Sequence, residues 1–378
     1  MASDLKTRIA ATSTPLASIF GSGFLVIVPI LAGAVGPYSA WAMAAVCALA
    51  IAVGSVIRFN IRHAEPVLAG DPPESTLSFE RASDLALVLA YVISVCLYIH
   101  IMAAFVLSGF HVDTELNENL FTTAVIVLIT AIGIIRGLKV LEVLEQWGLY
   151  VTLLIIVLLL VGFGHYDFTA WRSADGITLP AALDHSTWEI LTIVAGTLIV
   201  VQGFETPRYL GEVFDADTRV RASRSSQIIS TTVYIVFVTL ALPVVHTLNG
   251  KYDDNSLIAL VGVAAALLTI PLIIAAALSQ FSAAVADTLA ATGNLEEVTH
   301  KHLKERFGYV LVGGGAIMLT WSANTFEIIA LASRAFAFYY MLQCLVAMTV
   351  SRSTVQRAGM ATVAAALGFI AVFAVPAG

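Results

Sequence analysis

The residues of this sequence that could do chemistry stand in surroundings hostile to charge. The carboxylates of Glu205 and Asp287 and the guanidinium of Arg334 fall inside strongly apolar stretches, and Ser279 and Ser282 lie three apart in another. An ionisable group at such depth needs a partner or a function. Two short interruptions accompany them: "GSG" at Gly21–Gly23, and "GFE" at Gly203–Glu205 with Pro207 just beyond. Glycine and proline weaken a helix and expose backbone N–H and C=O groups. In a bilayer this is tolerated only where those groups face protein, a cavity or a ligand. A half-helix starting after Gly23 aims N–H groups at an anion, while carbonyls freed around Gly203 suit an ammonium or a metal cation. Together they complement a zwitterion.

The elements that must position these groups are membrane helices. The chain has 378 residues, is 59% hydrophobic and 12% charged, and has a mean hydropathy of +0.90. Apolar runs long enough to cross about 30 Å of hydrocarbon recur along its whole length. Hydropathy and punctuation predict eleven spans: Thr14–Val35, Tyr38–Phe59, Ser83–Gly109, Leu120–Ile135, Glu142–Gly164, Trp188–Glu205, Gln227–Leu248, Leu257–Ala291, Tyr309–Trp321, Thr325–Val350 and Met360–Pro376. The eighth run is too long for one straight span, so Pro271 is expected to divide a surface helix from the span proper. No removable signal peptide and no soluble domain are read from the pattern. Cys47, Cys96 and Cys344 all fall in apolar runs and read as packing residues.

Basic residues give the orientation. Sixteen of the 19 fall on one side of the predicted spans, Arg172 and Lys251 on the other, and Arg334 inside a span. The positive-inside rule then places the amino terminus in the cytoplasm of a plasma (inner) membrane, and an odd span count puts Gly378 outside. Spans one and six carry the two interruptions. Those are corresponding positions if two five-helix halves repeat, the arrangement that marks a binding site in secondary transporters. The halves cover about residues 14–164 and 188–350, with an extra helix at about 360–376, in a single transmembrane domain over residues 1–378.

The same residues resemble a known family, the amino acid–polyamine–organocation (APC) permeases with their LeuT-type fold. "GSGFLVIVP" with "GPYSAW" is similar to that family's first span and "GFETPRYLGEVFD" to its sixth; "IRGLKVLEVLEQWG" resembles its helix four to five corner, and "ALSQFSAAVADTLAATGN" its eighth helix. The resemblance covers about residues 13–352 and lies in the order and spacing of the motifs. Three departures stand out. Gly21 to Pro29 takes nine residues where the family usually has eight, the aromatic gate position of span six is Ile199, and the family's usual twelfth span is missing.

The resemblance implies an all-α, five-plus-five inverted-repeat bundle with helices one and six broken. It implies a substrate site at Gly21, Ser22 and Gly23, with Ser22 and Gly23 taking a carboxylate, and an amine held by the backbone of Gly203, Phe204 and Glu205. It aligns Ser279 and Ser282 with the sodium-binding stretch of sodium-coupled relatives. From the residues themselves, Glu205 either titrates during transport or caps its broken helix, and Asp287 is a second coupling candidate. Arg334 is expected to pair with Glu205, Asp287 or Glu327, or to touch substrate. His100 and His246 are expected to bond a neighbouring helix. The coupling ion is Na+ or H+, no cofactor is expected, and the partners are a small molecule and the bilayer, with no nucleic acid. Oligomeric state is not legible. The function expected is secondary active transport of an amino acid or related organic solute. The alternatives are an inorganic-cation transporter on the same fold, with Tyr98, Glu205 and Asp287 as ligands, or a sensor or channel subunit. An enzyme is not expected, because no HExxH, GxGD or serine–histidine pattern is present.

Overall fold

The computed structural model describes residues 2–377 apart from 22, 139–141, 175, 182–183 and 300–301, and no strand occurs among them. Fourteen α-helices follow in order: α1 Ala2–Gly21, α2 Ile27–Val35, α3 Ser39–Phe59, α4 Glu65–Leu68, α5 Glu74–Gly109, α6 Glu115–Arg136, α7 Glu142–Arg172, α8 Thr187–Ala195, α9 Ala216–Ala241, α10 Ser256–Ala264, α11 Thr269–Val298, α12 Glu305–Thr320, α13 Thr325–Val350 and α14 Thr354–Phe373. Among the described residues eight helical runs are long and apolar enough to cross a membrane, or nine if Thr187–Ala195 and Leu198–Leu210, bent by 41°, form one span. The protein is a multi-pass membrane protein. The first predicted span is divided between α1 and α2, and α2 is counted in one run with α3; the ninth, α12, has only 16 residues and falls outside that count.

Helix starts follow local chemistry. Ser186 with Glu189 at α8, and Asn324 with Glu327 at α13, form capping boxes in which each side chain satisfies the other residue's backbone N–H. Thr114 caps α6 by accepting from Asn117 N. All three caps lie on the face away from most arginines. The expected break at Pro271 is displaced. The chain leaves α10 at Ala265, and Pro271 sits in the first turn of α11, where a missing N–H has no partner to lose.

α5 and α13 form the buried centre, and α6 and α14 lie at the periphery with most of their surface outward. α5 packs along both α11 and α13, while α14 packs mainly on α13. Around the amino-terminal helices the core is aromatic: the Phe24 ring lies 4.1 Å from Phe237 and 5.7 Å from Tyr234. The three cysteines are buried and free.

Candidate functional site

The glycines create the site by letting two broken helices touch. α1 ends at Gly21, Ser22 lies outside the described residues, and Gly23–Val26 forms turns before α2 begins. α8 ends at Ala195. A 3-10 segment Leu198–Val201 follows, then extended Gln202, then Gly203 and a turn, then a second 3-10 segment Thr206–Leu210. A Cβ on Gly23 would stand 2.7 Å from Cγ2 and 3.1 Å from Cα of Val200. Gly203, at φ +124°, would drive a Cβ to 2.6 Å from Ser18 Oγ and 2.7 Å from the backbone nitrogen of Ile19. Each break therefore rests on the other's helix through a position where only hydrogen fits.

Neighbouring helices hold the exposed backbone. From α9 the Tyr234 hydroxyl reaches the carbonyls of Val200 at 2.7 Å and Ile19 at 3.0 Å, one on each broken helix. From α13 the Ser333 hydroxyl donates to Gly196 O at 2.6 Å and accepts from Ile199 N at 3.0 Å. Ser223 donates to Phe204 O at 3.2 Å. These side chains replace helical bonds that the breaks forgo.

Glu205 is fully buried. Its carboxylate accepts from Gly203 N at 3.0 Å, from the Tyr340 hydroxyl at 2.7 Å and from Gln202 Nε2. It caps its own break. Phe204 stacks on Tyr340, with ring centroids 5.1 Å apart, and Ile199 is fully buried. On α11, Asp287 accepts from Ser94 of α5, and Tyr98 is buried one turn further along α5.

Ser279 and Ser282 take different neighbours. Ser279 Oγ stands 4.0 Å from where a Gly21 Cβ would be, while the buried Ser282 hydroxyl faces Gly148 of α7 and has no hydrogen-bond partner. Thr152, one turn beyond Gly148, also carries a buried hydroxyl without a partner. It shares with Ser279, Phe20, Phe24, Leu272 and Ala276 a narrow crevice. Thr152 of α7 and Ser279 of α11 thus face one crevice beside the end of α1, and Ser282 is not among the residues that line it.

Arg334 corrects its expectation. Its side chain is exposed and its Nε donates to Ala371 O of α14 at 2.9 Å, so among the described residues it neither pairs with an acid nor reaches the breaks. The reason is rotation: its neighbour Ser333 takes the inward face of α13, and one residue further turns the side chain about 100° away. Glu327 is occupied in the α13 cap. The histidines differ too. His246 bonds Pro243 O within its own turn, and buried His100 has no hydrogen-bonded ring nitrogen.

On the arginine-rich face a buried network closes over the end of the second break. Arg208, just past Pro207, meets Glu80 of α5 at 2.6 Å and Gln343 of α13 at 2.5 Å. Gln343 also binds Glu80, Ser83 and Asn60. Arg219 of α9 grips both oxygens of Glu65 at 2.9 and 2.6 Å, and its Nη1 reaches the carbonyls of Pro207 and Arg208.

With this geometry in place, comparison with known proteins is informative. The chain matches the family described as APC superfamily transporter over residues 3–378. The chain belongs to the APC superfamily of transporters. An uncharacterized protein of Aquifex aeolicus (strain VF5) is 41% identical to it over 343 residues, 89% of this chain and 83% of its own. The transporter's function class is therefore membrane transport. Its broken helices, read from glycine positions, meet as described above. Tyr234, Ser333, Tyr340, Gln202 and Thr152 are the neighbours that sequence reasoning missed. Of these only Gln202, beside the GFE motif, and Thr152, a hydroxyl inside an apolar run, carried any visible signal.

Proposed function

We propose that this protein is a secondary active transporter of an amino acid or a related small organic solute. It works by alternating access, in a plasma membrane, with its arginine-rich face in the cytoplasm. The observation that carries this reading is the reciprocal contact of two helix breaks inside the bundle, Gly23 on Val200 and Gly203 on Ile19. Backbone groups gathered there, with α2 starting at the first break, suit a carboxylate beside an amine. Eleven spans in a five-plus-five LeuT-type arrangement fit the order of helices, taking α1 with α2 as the first and α12 as the ninth.

Coupling has two candidate seats. Thr152 and Ser279 share a crevice beside the end of α1 that offers a Na+ ion hard oxygen ligands, the Thr152 hydroxyl having no other bond, and Ser282 carries a further unpartnered hydroxyl on α11. Glu205 and Asp287 offer carboxylates to H+. Uptake into proteoliposomes separates the two: a sodium gradient at constant pH drives the first, a pH gradient in sodium-free buffer the second.

Inorganic-cation transport has less support. Among the described residues no three His, Cys, Asp or Glu side chains are grouped to hold a metal ion. The test of the main reading is a thermal-shift screen of purified protein against amino acids, amines and cations, since a ligand of the folded state raises its stability. Stabilisation by cations alone, with no amino acid or amine acting, would reject organic-solute transport.

A further inference from the structure

After α14 the chain does not leave the bundle. It turns back along α8, where Val375 N donates to Thr192 O at 3.1 Å, six residues inside that helix's cap. The Val375 carbonyl oxygen lies only 2.5 Å from where a Cβ on Gly196 would be, so the tail runs against the backbone at the start of the second break. Val375, Pro376 and Ala377 border a small space shared with Ile30 of α2, Thr197 of the break, and Phe326 and Ile329 of α13. Ala377 also packs with the buried cluster of Ala34, Val35 and Ile193. One short segment thus touches α2, α8 and α13 on the face opposite the arginine network.

Its two attachments are unequal. α14 packs extensively on α13 but only slightly on α8. Arg334 of α13 also holds Ala371, just ahead of the tail. The tail therefore belongs mechanically to α13 and α14, and it reaches across to α2 and α8, the two half-helices leading from that face to the breaks.

We propose that residues 374–377 are a strap that keeps the face opposite the arginines closed over the second break, with Arg334 as its anchor. Opening that face means parting α2 and α8 from α13, and the Val375–Thr192 bond lies across that seam. The strap rests on the alternating-access reading for its role, but its existence is tested without any transport.

The test uses purified full-length protein carrying Thr197→Cys, labelled with a hydrophilic maleimide and read peptide by peptide. Thr197 is buried beneath the tail, and the buried native Cys47, Cys96 and Cys344 serve as internal controls. Val375→Pro removes the N–H and leaves the chain's course, and deletion from residue 375 removes the strap. Each is expected to speed labelling at 197 by about tenfold, on the order of one buried hydrogen bond with its packing, while Cys96 stays protected. Arg334→Gln should give a smaller rise. Unchanged labelling at 197 in both tail variants overturns the strap, and equal acceleration at Cys96 overturns it too, because that is general loosening. A strap confirmed without amino acid binding leaves the fault with the transport reading alone.

Discussion

The hydroxyl of Tyr234 sits 2.7 Å from the carbonyl oxygen of Val200, in the middle of the second helix break. The Tyr234 hydroxyl also lies 3.0 Å from the Ile19 carbonyl oxygen at the end of α1, so one side chain from α9 touches both broken helices. Tyr234→Phe keeps the ring packed against Phe24 and removes only that donor. We expect it to destabilise the protein by about 1–3 kcal/mol, the cost of leaving a buried acceptor short of a donor, and to cut uptake about tenfold. Thermal unfolding and proteoliposome uptake measure the two effects; wild-type values in both would show that the breaks are held by other groups.

Gly203→Ala is expected to cost more than an ordinary glycine substitution. Its φ of +124° disfavours any side chain, and the new Cβ would meet Ser18 and the Ile19 nitrogen inside contact distance. A penalty of about 1–3 kcal/mol from the backbone alone, with loss of uptake, is the expected result. Gly359→Ala, in α14 with nothing within 4 Å of its Cβ, is the control and should be neutral or slightly stabilising. Equal stability of the two variants would count against the interlocked breaks.

Gln280 of α11 is fully buried, and neither its amide nitrogen nor its amide oxygen has a hydrogen-bond partner. Gln280→Leu, of similar volume, is expected to raise the stability of substrate-free protein by about 1–3 kcal/mol by removing that burden. A lowered unfolding midpoint would mean that the amide has a bound partner in solution.

Glu80→Gln removes the negative charge that faces Arg208 at 2.6 Å, where the arginine side chain is only 7% exposed and the glutamate 14%. Breaking such a buried pair from one side is expected to cost about 3–5 kcal/mol. Replacing both partners by neutral residues should recover part of the loss, because no charge is then left alone. A double-mutant cycle with Arg208→Gln reads this directly, and strictly additive effects would remove the pair from the account.

Most of the helices were legible because lipid makes hydropathy a strong signal, and the α13 boundaries Thr325–Val350 match the expectation. The breaks were legible for a related reason, since glycine and proline inside an apolar run have few other uses there. What the sequence hid is rotation. Ser333 and Arg334 are neighbours, yet one holds the second break and the other faces α14. In a helix apolar nearly all round, no periodicity says which residue turns inward, and the more conspicuous charge drew the expectation. The arginine network was hidden for a different reason. Asn60, Glu65, Glu80, Arg208, Arg219 and Gln343 come from five separate segments and meet only in the folded chain.

The interlocked breaks have a consequence for how this transporter can change over generations. The polar groups assembled at Val200, Ile19, Gly196 and Gly203 are main-chain groups, and no codon change can delete a carbonyl. Substitution can alter the lining side chains freely while the peptide scaffold passes on intact, provided the two glycines stay. Descendants of such a protein would be expected to diverge in most letters, to acquire new cargoes, and still to be traceable by the places where a side chain is forbidden.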